Sequence, residues 1–265
     1  MVYYFTGTGN SAYIAKCLAN FFQDESRFIP NVAPEEQIAN DKGCGFVFPV
    51  YSWGVPPLVL DFIRKLPDCF WEKIKISQTP FWVVMSCGDE VALAPSMITK
   101  ALEAKNVTIQ GIWSVIMPNN YVLLPGFDID SKSIEENKLR EVPYRILEIA
   151  EGIKNNIRGI DVTKGKYAWI KSRLIYPLFK RWGIKTTKWH YLPTCIGCGK
   201  CCKICPQHNI QLTERHPVWG ENCCSCLACY HICPYHAVAY GKETMKKGQY
   251  MFPGYPESDN KNSPR

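Results

Sequence analysis

No apolar run in this chain is long enough to cross a bilayer, which argues against a membrane-spanning helix. The opening residues, Met1-Val2-Tyr3-Tyr4-Phe5-Thr6-Gly7, lack the basic stretch, apolar core and cleavage site of a secretory leader. A cytoplasmic protein is expected, in a compartment where thiols stay reduced. The first glycine-rich loop is not followed by a Lys-Ser/Thr pair, so the Walker type of nucleotide site is ruled out there. Acidic residues are missing from Val162 through Trp182. No residue stands out as a general acid or base.

The formal charge of +7 is uneven along the chain. Residues 1–160 hold 15 Lys+Arg against 18 Asp+Glu, a net −3, and the remainder holds 16 against 6, a net +10. That count treats every cysteine as neutral. Cysteines held as thiolates would offset part of that excess. The basic excess is therefore weak support for nucleic acid, and no nucleic-acid partner is expected.

Cysteine is what the chain has in plenty, 14 in 265 residues. Eight of them fall in two copies of one pattern. The first reads Cys195-x2-Cys198-x2-Cys201-x3-Cys205-Pro206 and the second Cys223-x2-Cys226-x2-Cys229-x3-Cys233-Pro234, 28 residues later. This is the bacterial iron–sulfur run, in which the fourth cysteine of each copy ligates the other cluster. Three cysteines two residues apart can wrap one side of a cube. The x3 step then carries the chain away, and the proline ends the turn without needing an N–H. Cys195, Cys198, Cys201 and Cys233 are expected to hold one cluster, and Cys223, Cys226, Cys229 and Cys205 the other. Cys202 and Cys224 are out of register. A zinc ribbon would use two C-x2-C pairs, and a disulfide framework would need an oxidising compartment. The segment 192–240 closely resembles a bacterial two-cluster ferredoxin, a fold too small to bury much apolar surface without its clusters.

The amino-terminal part alternates strands and helices. A strand is expected over 2–5, then a loop, Thr6-Gly7-Thr8-Gly9-Asn10-Ser11, then a helix over 10–22 with Ala12, Ile14, Ala15, Leu18 and Phe22 toward one side. A glycine loop opening a helix makes a phosphate site from backbone N–H groups and the helix dipole. Gly7-x-Gly9-x-x-Ala12 also fits a dinucleotide fingerprint, but the expected second strand, over 27–32, ends without the acid that fingerprint needs. The hydroxyls of Thr6, Thr8 and Ser11 suit a terminal monophosphate instead. Further strands are expected over 43–50, 82–86 and 110–117. Helices are expected over 57–66, 94–105 and 133–156, the last opened by a capping box at Ser133-Ile134-Glu135-Glu136 and disturbed at Pro143. That alternation gives an α/β fold with a parallel sheet covered on both faces.

The loop resembles the flavodoxin phosphate loop, Ser/Thr-x-Thr-Gly-x-Ser/Thr. The resemblance implies a doubly wound sheet in the order 2-1-3-4-5 and an FMN between two further loops, Tyr51-Ser52-Trp53-Gly54 and Ser86-Cys87-Gly88-Asp89. Trp53 is the expected stacking residue, although an aromatic is more often packed core. The aromatic common after the family's third loop is replaced by Val91-Ala92-Leu93-Ala94-Pro95, leaving one flavin face open or covered by Tyr121.

Over residues 1–245 the chain resembles flavodoxin–ferredoxin fusions. The expected plan is a flavodoxin-like FMN domain over 1–158, a basic and aromatic connector over 159–189, a two-cluster 4Fe-4S ferredoxin domain over 190–245 and a loose tail over 246–265. The implied function is electron transfer between FMN and two 4Fe-4S clusters, with unidentified redox proteins as partners. Two alternatives are a flavin reductase of a small substrate wired by the clusters, and an iron–sulfur sensor without flavin. For the connector, an amphipathic segment packing its aromatics on both halves is favoured over contact with a membrane surface or with an acidic redox partner. Cys17, Cys44 and Cys69 are expected in or near the core, and Cys87 is expected to be unreactive.

Overall fold

Side chains of successive strand residues point to opposite faces, and in β1 (Val2–Tyr4) both sets are apolar, so the strand must be covered on both sides. A computed structural model, which describes residues 1–32, 43–76 and 80–255, places it so. Tyr3 and Phe5 join one buried cluster and Val2 and Tyr4 the other. β1 pairs in parallel with β2 (Ser26–Phe28) and β3 (Cys44–Pro49), and the sheet continues through β4 (Phe81–Cys87) and β5 (Gly111–Ile116) to β6 (Gly159–Asp161). The order is 2-1-3-4-5-6, all parallel. This is the flavodoxin-like order with one added edge strand.

Helices α1 (Asn10–Phe21) and α5 (Lys132–Lys154) cover one face; α2 (Pro57–Lys65), α3 (Asp68–Ile76) and α4 (Ala94–Glu103) cover the other. The sequence pattern does not announce α3 or β6. β6 is short and exposed on all three residues, so no apolar run marks it; its place comes from pairing with β5. Residues 159–161 thus belong to the sheet, not to the connector. α5 starts after Ser131, whose side chain makes no capping bond, and it runs on through Pro143. Proline removes one helical N–H bond, and the exposure of Pro143 leaves that gap to water.

The 28-residue repeat reappears as backbone geometry. Gly197 and Ser225 both have positive φ, as do Gly199 and Leu227, and His208 and His236. Each copy has a strand, a cysteine loop, a short helix and a second strand. The copies exchange partners: β7 (Trp189–Tyr191) pairs with β10 (Val238–Tyr240), and β8 (Ile210–Thr213) with β9 (His216–Trp219), both antiparallel. That exchange brings the fourth cysteine of each copy back to the other copy.

Residues 246–255 differ from the expected loose tail, and 256–265 lie outside the described residues. Lys247 Nζ donates to the Val122 carbonyl at 2.7 Å, the Phe252 N–H to the Thr8 carbonyl at 2.8 Å, and Tyr250 OH to Asn10 Oδ1 at 2.7 Å. Phe252 also stacks on Tyr13 at 4.5 Å between centroids. Lys247, Tyr250 and Phe252 thus tie this stretch down through hydrogen bonds and a ring contact. Among the described residues, no helix is long and apolar enough to cross a membrane.

Candidate functional site

The carboxyl ends of β1, β3, β4 and β5 open on one shared cavity, the place where ligands bind in open α/β sheets. It is lined by Thr6, Gly7, Thr8, Asn10 and Ser11, by Pro49, Val50 and Tyr51, by Ser86, Cys87 and Gly88, and by Met117 to Asn120. The loop hydroxyls are arranged as acceptors. Thr6 Oγ1 accepts the Gly9 N–H at 3.0 Å and Thr8 Oγ1 accepts Asn120 Nδ2 at 2.7 Å. A hydroxyl has one O–H to give and two lone pairs, so both threonines keep their O–H for an anion. Ser11 and Ser86 share one hydrogen bond of 2.8 Å, which leaves one further O–H between them. The first turn of α1 supplies N–H groups with no intrahelical partner.

Five expected residues do not line the cavity. Gly9 lies under Phe252 and Tyr255. Ser52 and Trp53 form the tip of a turn closed by reciprocal bonds between Tyr51 and Gly54, of 2.9 and 3.0 Å. Both tip residues have positive φ, a conformation of hairpin turns that side chains other than Gly, Asn or Asp rarely adopt. The turn swings Trp53 outward: its Nε1 donates to Glu90 at 3.0 Å and Lys171 sits 5.3 Å over its ring. Gly54 lies against the Tyr176 ring, and Asp89 faces Lys138. Tyr51, not Trp53, is the aromatic of this loop at the cavity. Tyr121 packs toward the carboxyl-terminal half, beside Phe127. Asn119 and Asn120 were not among the expected lining residues; the only sign of them in the sequence is their position just after a strand end.

Lys138 locks the loop after β4. It donates to the Gly88 carbonyl and pairs with Asp130, both at 2.8 Å. Burial works to raise the Asp130 pKa, but Lys138 and the N–H groups of Asn119 outweigh it and hold the carboxyl below its usual range. A carboxylate depressed on folding adds stability above its unfolded pKa, about 3.9, and loses it as pH falls through the folded value. Asp130→Asn is therefore expected to cost about 1–3 kcal/mol at neutral pH. The Tm difference from the parent protein should fade as the pH falls below about 4; a difference independent of pH would refute the ion-pair account. Burial pushes the Cys87 thiol up to about 12, which suits an unreactive cysteine. Cys44 is also buried and Cys17 half-buried, whereas Cys69 is exposed and outside the core.

The cysteine loops form two separate nests. Cys195, Cys198, Cys201 and Cys233 line one small cavity, together with Gly197, Gly199 and Tyr235. Cys198 is exposed, so this outer nest reaches the surface. Cys205, Cys223, Cys226 and Cys229 form the inner nest, close enough that a thiolate at Cys226 acts on each of the other three. Backbone N–H groups point at the sulfurs: Asn209 to Cys205 at 3.3 Å, Ala237 to Cys233 at 3.2 Å and Ser225 to Cys223 at 3.3 Å. Burial raises the Cys223 and Cys229 thiols, and the indoles of Trp189 and Trp219 work against it in part; Trp219 Nε1 is buried with no other partner. Burial pushes Cys201 up to about 12 and Cys223 to about 11. Such thiols lose their protons only when a metal takes the proton's place. Among the described residues, no three His, Cys, Asp or Glu side chains converge on a single metal ion. A cube would take one thiolate per iron at four separated corners, and each set supplies four cysteines with backbone N–H groups at some of the sulfurs.

The inner nest shares a wall with the loop cavity. A Cβ on Gly7 would collide with the Cys226 carbonyl oxygen and stand 3.2 Å from the Cys226 Cβ. Tyr51 is partly buried, but its OH is buried and has no hydrogen-bond partner, and charges at Cys226, Cys224 and Cys223 reinforce the effect of burial in holding its proton. The halves are tied by His231. Its Nδ1 accepts the Tyr250 N–H at 3.1 Å, so Nε2 carries the proton and donates to the Asn120 carbonyl at 2.7 Å. Burial holds this imidazole at about 4, neutral at physiological pH.

No protein-family model matches the chain, and no curated protein matches it. Among solved structures, the Trp repressor binding protein from Bacillus subtilis is similar at 17% identity, over 57% of this chain and 95% of that one, with a TM-score of 0.38. A likeness of that size carries no argument about function.

Proposed function

We propose that this chain is an electron-transfer protein that holds FMN in the loop cavity and a 4Fe-4S cluster in each cysteine nest, the carboxyl-terminal half being a two-cluster ferredoxin domain. The observation that carries the reading is the shared wall: Gly7 and Tyr51 line the cavity, and both lie against the Cys226 loop of the inner nest. Flavin chemistry supplies one- or two-electron exchange and each cluster one electron at a time. The protein's part is placement. Thr6, Thr8 and Ser11 present O–H groups to the phosphate, and the α1 N-terminus adds its N–H groups. The Tyr51 OH, without a partner, is left to a polar edge of the ring system or to an inorganic sulfide. N–H groups aimed at cysteine sulfurs stabilise the reduced, more negative cluster and so raise its potential. The order along the chain of centres is cavity, inner nest, outer nest, surface.

A second reading, an iron–sulfur module without flavin, draws on a different observation. Phe252 and Tyr255 cover Gly9, and each loop hydroxyl already has one protein partner. The reductase alternative expected a pocket beside Trp53, Asp89 and Tyr121, and none of the three lines the cavity.

The deciding experiment is an anaerobic inventory of iron, acid-labile sulfide and released flavin. The expected result is about eight irons, eight sulfides and one FMN per chain. Full iron with no flavin, even after incubation with FMN, favours the second reading. Iron far below four per chain with the fold intact refutes both.

A further inference from the structure

The segment between the halves is a helix over 168–183, in α and wider π turns. Its inner side carries Ala168, Ser172, Tyr176 and Phe179, all buried. Ser172 Oγ donates to the Trp53 carbonyl at 2.7 Å and accepts the Leu93 N–H at 2.9 Å, and Tyr176 OH donates to the Val55 carbonyl. Phe179 meets the Tyr51 ring edge-on at 6.4 Å. The helix thus rests on the loops after β3 and β4. Packing of its aromatics ends with Tyr176 and Phe179. Trp169 is 62% exposed, Leu174 52%, Leu178 50% and Trp182 50%. Arg173, Lys180 and Arg181 are exposed among them, and no Asp or Glu occurs anywhere in residues 162–213.

We propose that the outer face of helix 168–183 docks on an anionic phospholipid surface. Three features of the helix argue for it. The exposed face is apolar, with tryptophans toward both ends, the residue that favours the headgroup boundary. The cations lie beside it with no acid among them, complementary to a negatively charged leaflet. A second copy of the chain is a poor occupant, because a two-fold pairing sets each patch against itself and would face Arg173, Lys180 and Arg181 with the same cations. Docking lays the helix in the plane of the surface and holds the loops around Tyr51 and Glu90 next to it. This proposal does not depend on flavin being present.

The test is co-sedimentation of the cofactor-loaded full chain with vesicles of phosphatidylcholine alone and with about one third phosphatidylglycerol. Binding to the anionic vesicles is expected to exceed binding to the neutral ones by about tenfold or more at low salt, and to weaken as salt is raised. Leu174→Asp with Leu178→Asp should lower it by about tenfold or more, and so should Arg173→Glu with Arg181→Glu. All four side chains are exposed, so iron content and Tm should stay at the parent values. Equal binding to both lipids overturns the proposal, as does binding that the leucine changes leave intact. Absence of binding to anionic vesicles also overturns it, leaving an acidic protein or a second copy as occupant. The second copy would show as a dimer that Leu174→Asp dissolves.

Discussion

Cys233→Ala is expected to remove about half of the iron, and the half lost belongs to the nest of Cys195, Cys198 and Cys201 and not to its own repeat. The reason lies in how the two repeats exchange strands. β8 of the first copy pairs with β9 of the second, and β10 of the second with β7 of the first. Cys233 precedes β10 and is drawn into the cavity of the first copy's cysteines. Cys205 precedes β8 and lies with Cys223, Cys226 and Cys229. Double replacements make the crossing measurable, because residues of one unit are non-additive. Cys195→Ala with Cys233→Ala should leave about four irons, as each single change does, whereas Cys223→Ala with Cys233→Ala should leave almost none. The opposite assignment of these doubles would show uncrossed ligation. A larger effect is not expected from the outer nest, since the inner nest packs on the sheet domain: Cys224 and Cys226 lie against its buried cluster.

Gly7→Ala is expected to weaken FMN binding by about ten- to a hundredfold while leaving iron unchanged. The added methyl meets the Cys226 carbonyl, a backbone atom that cannot swing aside. Overpacking of this kind costs about 1–3 kcal/mol, and each 1.4 kcal/mol is about a factor of ten in affinity. The strain falls on the wall between cavity and inner nest, so it should also slow reduction of the clusters by added reduced flavin. Gly152→Ala is the matched control. Its Cβ would meet Trp113 at 3.6 Å, an ordinary contact inside α5, and alanine in a helix is favoured over glycine by about 0.5–1 kcal/mol. Titration of FMN by fluorescence quenching checks both. Unchanged affinity in Gly7→Ala would mean that the wall yields, and the shared-wall reading would lose its main support.

The amino-acid sequence by itself determined the strand and helix alternation and the two C-x2-C-x2-C-x3-C-P runs. It also marked the hydroxyl-rich loop at Thr6–Ser11, which the structure places at the cavity with Gly9 turned away. These are local properties: apolar periodicity, glycine where the backbone must turn, and a fixed spacing of one residue type. Tertiary structure alone decided what depends on distant partners. Trp53 carries no mark of its fate in the chain; a turn with two positive-φ residues and the carboxylate of Glu90 turn it away and leave Tyr51 in its place. β6 exists because β5 offers an edge, and residues 246–255 are ordered by carbonyls and rings more than 100 positions earlier. The connector shows both limits. Its mixture of aromatics and cations is visible in sequence, but which side is covered depends on where Ser172 and Tyr176 find the loops after β3 and β4. A pattern of residue types fixes which faces an element has; only packing against the rest of the chain fixes which face is left outside.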